Sequence, residues 1–216
     1  YAHSAIVSSK ETIQSEGPWG VSDKVFNYTV FNSGSLSKYI LRKVPYDFEY
    51  ADIQAGIGTP HAVYAEFTAD ETLLVRAEAQ ALLGHYAEAL DDLNTELAAF
   101  SREGVQLTLD DVKKFYSDDV TAYYTPEKPT PRKAFHTTFA ISKDTEEPML
   151  QCILHLRRIM TIHEGLRMQD VKRYGITIYR RDVKSNYKIT GVTDTMKARD
   201  PRLAIQLPQD VITAGV

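Results

Sequence analysis

A chain of 216 residues, 43% apolar and 25% charged, can bury a core of ordinary size, so one domain with long decorations is expected and neither disorder nor collagen-like bias is. Its net charge of -4, with both signs interspersed, offers no basic stripe for a phosphate backbone and excludes nucleic acid as the expected partner. No apolar run approaches the roughly 20 residues that span a bilayer, and Tyr1-Ala2-His3-Ser4 has neither the basic start nor the apolar stretch of a signal peptide.

Residues 1–66 are rich in Tyr, Phe, Ser and Gly. Alternation such as Lys24-Val25-Phe26-Asn27-Tyr28-Thr29-Val30 predicts strands or extended loops, while Gly17-Pro18, Pro45, Gly56, Gly58 and Pro60 interrupt any long helix. The character changes at Phe67. Thr68-Ala69-Asp70-Glu71 reads as a capping box, in which hydroxyl and carboxylate each accept a hydrogen bond from an otherwise unpaired amide.

A helix follows, with Leu73, Leu74, Ala77, Ala81 and Leu82 at helical spacing. Gly84 turns the chain into a second stripe, Tyr86, Ala89, Leu90, Leu93, Leu97 and Phe100. So short a connection predicts an antiparallel helical hairpin over 67–100, with alanines at the close approach.

Residues 101–148 read as an insertion. Thr108-Leu109-Asp110-Asp111 caps a short helix to about Tyr116, and Pro126, Pro129 and Pro131 then predict an extended excursion carrying Tyr123 and Tyr124. Glu146-Glu147-Pro148 suits a helix start, since acidic residues favour the electropositive amide end and proline lacks the amide that would go unpaired.

Met149, Cys152, Ile153, Leu156, Ile159, Met160 and His163 then form an apolar stripe. A second helix runs from Leu166 to Tyr174 and stops at Gly175, so 149–175 is a second helical unit. Cys152, the single cysteine, cannot form an internal disulfide and reads as a small buried hydrophobe. Residues 176–216 alternate strand-like pieces such as Ile176-Thr177-Ile178-Tyr179 with turns. The expected fold is therefore mainly α, helical hairpins with long irregular loops and a few short strands.

Leu82-Leu83-Gly84-His85-Tyr86-Ala87-Glu88-Ala89-Leu90 resembles the turn and second helix of a tetratricopeptide repeat; any antiparallel helix pair is the alternative. The wider order is more specific. Glu71 to Ala79, the Gly84 turn and Ala89 to Asn94 are followed by Leu154-His155-Leu156-Arg157-Arg158, by Glu164-Gly165-Leu166-Arg167-Met168-Gln169-Asp170-Val171-Lys172-Arg173, and by Leu207-Pro208-Gln209-Asp210-Val211-Ile212.

This arrangement, over about 67–216, resembles the C-terminal half of the SusD/RagB family of outer-membrane nutrient-binding lipoproteins. Met168 and Gln169, where the family usually has aromatics, and the ending Ala214-Gly215-Val216 depart from its pattern. The resemblance implies capture of an oligosaccharide or polysaccharide, or in some branches a peptide, at the cell surface, and delivery to a SusC-like TonB-dependent transporter, without catalysis. It also implies that these residues are the later part of a longer chain whose earlier part carries the lipid anchor. A tetratricopeptide-type adaptor binding a peptide is the rival reading, and a glycoside hydrolase the third.

Arg157, Arg158, Glu164, Arg167, Asp170 and Arg173 are expected to form a structural ion network, because a carboxylate three residues from two guanidiniums bridges both. His163-Glu164 begins a zinc-protease pattern, but position 167 is Arg, so no metal and no cofactor are expected. No phosphate-binding loop or nucleophile elbow is present. Most aromatics fall in the irregular segments, where flat rings can stack on sugars; Trp19, Tyr123 and Tyr124 are the candidate ligand contacts.

Overall fold

The structure is a computed structural model and describes residues 9–26, 30–33, 38–41, 46–62, 67–162, 164–184, 188–205 and 207–215. Among these, seven α-helices occur: α1 (Ser22–Val25), α2 (Ala69–Leu82), α3 (Tyr86–Phe100), α4 (Leu109–Phe115), α5 (Glu146–Met160), α6 (Arg167–Tyr174) and α7 (Gln209–Thr213). Eight strands form four separate antiparallel pairs: β1 (Glu16–Gly17) with β2 (Gly20–Val21), β3 (Val30–Ser33) with β4 (Lys38–Leu41), β5 (Tyr46–Asp52) with β6 (Ile57–Ala62), and β7 (Ile178–Val183) with β8 (Ile189–Met196).

The architecture is mixed α and β, not mainly α. Alternating aromatic and β-branched side chains in the flanking segments suit a pleated ribbon, and they pair into hairpins there. One extended expectation fails: Ser22–Val25 is a helical turn and Phe26 makes only an isolated bridge to Ser101. The reason is local, because the Ser22 hydroxyl and amide both donate to the Ser15 carbonyl, at 2.7 and 3.1 Å. Tyr28 and His163, named from the sequence, lie outside the described residues.

The hairpin of α2 and α3 forms where the apolar spacing places it. Gly84 adopts φ +79°, a left-handed value that closes the three-residue turn without strain. Leu74, Ala77, Ala81, Ala89, Leu93 and Leu97 are fully buried along the seam. Thr68 accepts a hydrogen bond from Glu71 N–H at 3.4 Å, half of the expected box. The reciprocal box forms at α4, where Asp111 accepts from Thr108 N–H at 2.8 Å and donates its own amide to the Thr108 hydroxyl at 3.2 Å.

Helix α5 is the centre of the molecule. Every residue of it except Glu146 and Arg158 is buried, and it packs against α2, α3 and α4. A helix covered on all sides needs partners for its polar groups as well as its apolar ones. The irregular segment 117–145 supplies some of them: Gln151 brackets the Lys133 backbone, accepting its N–H at 2.9 Å and donating to its carbonyl at 2.5 Å. Side-chain bonds thus fasten a loop that has no ladder of its own.

The chain leaves α5 through a turn and re-enters α6, which ends at Gly175 with φ +60°. A side chain at Gly175 would collide with the His136 carbonyl, so the segment 131–141 lies against this helix end. Phe135 stacks on Tyr174 with centroids 4.9 Å apart, which extends the core under the loop.

Candidate functional site

Three polar constellations surround α5, and they differ in how completely their charges are matched. The first is a buried ion seam. Arg157 donates through Nη1 to Glu78 and through Nη2 to Asp170, each at 2.6 Å. Arg173 reaches Glu78 at 2.9 Å, and the Tyr174 hydroxyl donates to Glu78 at 2.5 Å. Arg167 lies 3.4 Å from Asp170.

Burial works against the Glu78 charge, yet Arg157 and Tyr174 hold its carboxyl below the usual range, and the same seam holds Arg157 above its own. Glu78 was not among the residues singled out from the sequence, although a carboxylate inside the Leu74, Ala77, Ala81 stripe is a legible signal. Glu164 sits exposed in the turn before α6.

The second constellation is a hydrogen-bonded chain through His155. Its ring lies between the Tyr116 hydroxyl, 2.9 Å from Nδ1, and the Ser15 hydroxyl, 2.7 Å from Nε2. Ser15 donates its one hydroxyl proton to the Thr12 carbonyl at 2.6 Å, so it must accept from Nε2–H, which leaves Nδ1 to accept from Tyr116. This polarity is the reverse of a nucleophile activated by a base. Burial pushes the His155 pKa well below 6.5, and the charges of Arg158, Lys133 and Arg167 add to that. The chain therefore ties the N-terminal segment to α5 with a neutral imidazole.

The third is a pocket of about 640 Å³ between α5, α6, the β7–β8 hairpin and the loop that carries Tyr124. Lys133, Arg158, Arg167, Arg180, Arg181 and Arg202 line it, against the carboxylates Glu11 and Asp194. Both carboxylates are already committed, Glu11 to Arg181 and Asp194 to Arg202. Among the described residues neither Lys133 nor Arg158 forms an ion pair, and Arg167 shares Asp170 with Arg157. The pocket carries excess positive charge.

The consequences are visible in each cation. Arg167 is pushed down to about 10 by burial and by Arg158, and Arg158 itself is lowered by burial and by Arg181. Lys133 is buried, donates to the Thr130 carbonyl at 2.5 Å and sits 3.6 Å above the Tyr124 ring centroid. Burial and then Arg158 and Arg167 hold it well below the usual lysine range. Arg181 Nη1 is buried with no hydrogen-bond partner. A buried donor left open at a pocket wall marks a place where an acceptor would be stabilised.

No family model, curated protein or solved structure matches this chain.

Aromatic and aliphatic groups complete the pocket. Tyr124 and Tyr179 face each other with centroids 5.5 Å apart and planes tilted by 37°. Both rings also line an adjoining cavity of about 670 Å³, which His136 and Lys197 share. Val171, Ile176, Ile178 and Met196 give the first pocket an apolar floor.

The three aromatic candidates from the sequence separate. Tyr124 lines the pocket. Tyr123 does not, because its hydroxyl donates to Glu147 and accepts from Arg132 at 3.0 Å and from Lys143 at 3.2 Å, while Arg132 covers its ring at 3.9 Å. Trp19 is 5% exposed, packed on Phe26 and His155 at 5.7 and 5.0 Å, with its indole N–H donating to Ser22 at 2.9 Å. It is a core residue with no face for a ligand.

Arg158 also departs from the expected network. Successive helical residues point roughly 100° apart, so Arg157 and Arg158 cannot both meet Glu78 and Asp170; Arg158 turns to the pocket instead. Lys133, Tyr179, Arg181 and Glu11 were not singled out in the sequence, because they come from three separate segments, with only Tyr179 and Arg181 sharing one, strand β7. Among the described residues no three His, Cys, Asp or Glu side chains converge where they could hold a metal ion.

Proposed function

We propose that this chain is the ligand-capturing part of a SusD/RagB-type nutrient-binding protein, which holds a glycan without cleaving it and passes it to a SusC-like TonB-dependent transporter. The observation that carries the proposal is the pair of adjoining cavities walled by Tyr124 and Tyr179 over an apolar floor. Sugar rings present apolar faces and a belt of hydroxyls, and amphipathic tyrosines beside hydrogen-bonding side chains complement both.

The matched charges of Glu78, Arg157, Asp170 and Arg173 support the non-catalytic part of the proposal, since this seam has a structural task across α2, α5 and α6. In the same reading α2 and α3 are a tetratricopeptide-type unit, and α5 with α6 a second, degenerate one. The alanine seam and the packing of α5 on α2 support it. Residence at the outer-membrane surface, by a lipid anchor on an earlier part of the chain, rests on the sequence resemblance. Among the described residues no helix is long and apolar enough to cross a membrane.

Calorimetric titration against a panel of plant and host oligosaccharides tests the reading. At least one should bind with micromolar to millimolar affinity, equivalent to about 4 to 8 kcal/mol. Tyr124→Ala and Tyr179→Ala should each weaken it by about tenfold while the protein stays folded. Binding to no glycan, or reducing ends released during the titration, would refute it.

A further inference from the structure

Glycan capture alone does not account for the cations. A neutral sugar needs a few donors and acceptors, whereas this pocket gathers Lys133, Arg158, Arg167 and Arg181 beside carboxylates that are already committed, Glu11 to Arg181 and Asp170 shared by Arg157 and Arg167. Like charges brought together in a partly dry site repel one another and lose hydration, so the arrangement is costly in the free protein. Such a cost is recovered when an anion enters and each cation gains a partner.

We propose that the pocket binds an oxyanion carried on a sugar, the carboxylate of a hexuronate or a sulfate ester, with Arg158 and Arg167 as its main receptors and the sugar ring beside Tyr124 and Tyr179. The inference rests on the glycan reading and names the class of glycan. Guanidinium forks match planar carboxylates and sulfate oxygens better than an ammonium does, so the two half-buried arginines are the receptors. The open donor on Arg181 supplies a further contact at the wall. The tyrosines give the ring a platform at the boundary of the two cavities, so a saccharide of several units can run from one into the other.

Lys133 adds a distinctive signature. The groups that face it are Tyr124, Arg158, Arg167, Arg181 and Glu11, with a neutral His155 close by. Three of these are cations that disfavour its protonation, and an incoming anion would offset them. Binding of an acidic sugar should therefore raise the Lys133 pKa back toward the ordinary lysine range. A neutral sugar should not.

The test uses wild-type protein and four probes of equal length: a uronate trisaccharide, its methyl ester, a sulfated neutral trisaccharide and the unsulfated parent. The inference predicts that one or both charged probes bind about ten- to a hundredfold tighter than their uncharged counterparts, the scale of a charged hydrogen bond. Which charged probe leads identifies the oxyanion. Affinity for the charged probes should fall with added salt, and affinity for the uncharged probes should not.

Arg158→Met should abolish the preference for the charged probes, and a far-UV circular dichroism spectrum unchanged from wild type should show that the variant is folded. Equal binding of charged and uncharged probes would overturn the inference and leave the glycan reading intact. Binding of inorganic sulfate with no gain from any attached sugar would overturn both.

Discussion

Arg157 and Arg158 are neighbours in one helix, yet they belong to two regions with opposite electrostatic design. On one side of α5, Arg157 is enclosed by Glu78 and Asp170, and every charge has a partner. On the other, Arg158 joins Lys133 and Arg167 around a pocket where positive charge is left over. The first region holds α2, α5 and α6 together, and its charges have no capacity left for a ligand. In the second, Lys133 and Arg158 have no carboxylate partner among the described residues, beside the Arg181–Glu11 and Arg202–Asp194 pairs, so those two charges are available for one.

The comparison predicts unequal effects of similar substitutions. Arg157→Met should be the most damaging, with a loss of about 3 to 5 kcal/mol in urea unfolding, because Glu78 and Asp170 would remain buried without their shared cation. Trp19→Ala should cost a similar amount, about 3 to 5 kcal/mol, since it empties core volume between Phe26 and His155. Were Trp19 a ligand contact instead, its removal would spare stability and reduce binding.

Arg158→Met should leave stability unchanged or raise it by an amount on the order of 1 kcal/mol, measured in the same denaturant series, because it removes a charge whose burial is not offset by an ion pair. The pH dependence separates the regions further. His155 is kept neutral in the fold, so the unfolded chain binds more protons as pH falls, and stability should drop once pH passes below 6.5. His155→Gln should flatten that limb of the stability profile. Lys113→Ala, which removes the partner of the exposed Asp144, should give the smallest change of all.

The sequence made the ion seam more legible than the pocket. Helical spacing, Gly84 and Gly175 located α2, α3, α5 and α6 closely, because apolar periodicity and turn chemistry are local signals. The charges on α6 pointed to a network for the same reason, although the spacing could not show that Glu78, far away on α2, is its hub. The hairpins β5–β6 and β7–β8 were blurred by Pro60 and by bulges that break strict alternation, such as the shift between Arg180 and Arg181.

The pocket had no such signal. Glu11, Tyr124, Lys133, Arg158 and Arg181 meet only through tertiary packing, and of these Tyr124 alone was picked out as a ligand contact. Composition favoured exposed aromatics without saying which would be covered. Trp19 illustrates the limit, since a hydrogen bond to Ser22 lets its polar end be buried with the rest of the ring.

The central claim, that α5 separates matched charge from charge awaiting a ligand, is tested most directly by thermal unfolding of wild type, Arg157→Met and Arg158→Met, each with and without a uronate trisaccharide. The account predicts a lowered midpoint for Arg157→Met, and for Arg158→Met an unlowered midpoint that the trisaccharide no longer raises as it does in wild type. Equal destabilisation by the two substitutions, with the trisaccharide shift intact in Arg158→Met, would contradict it.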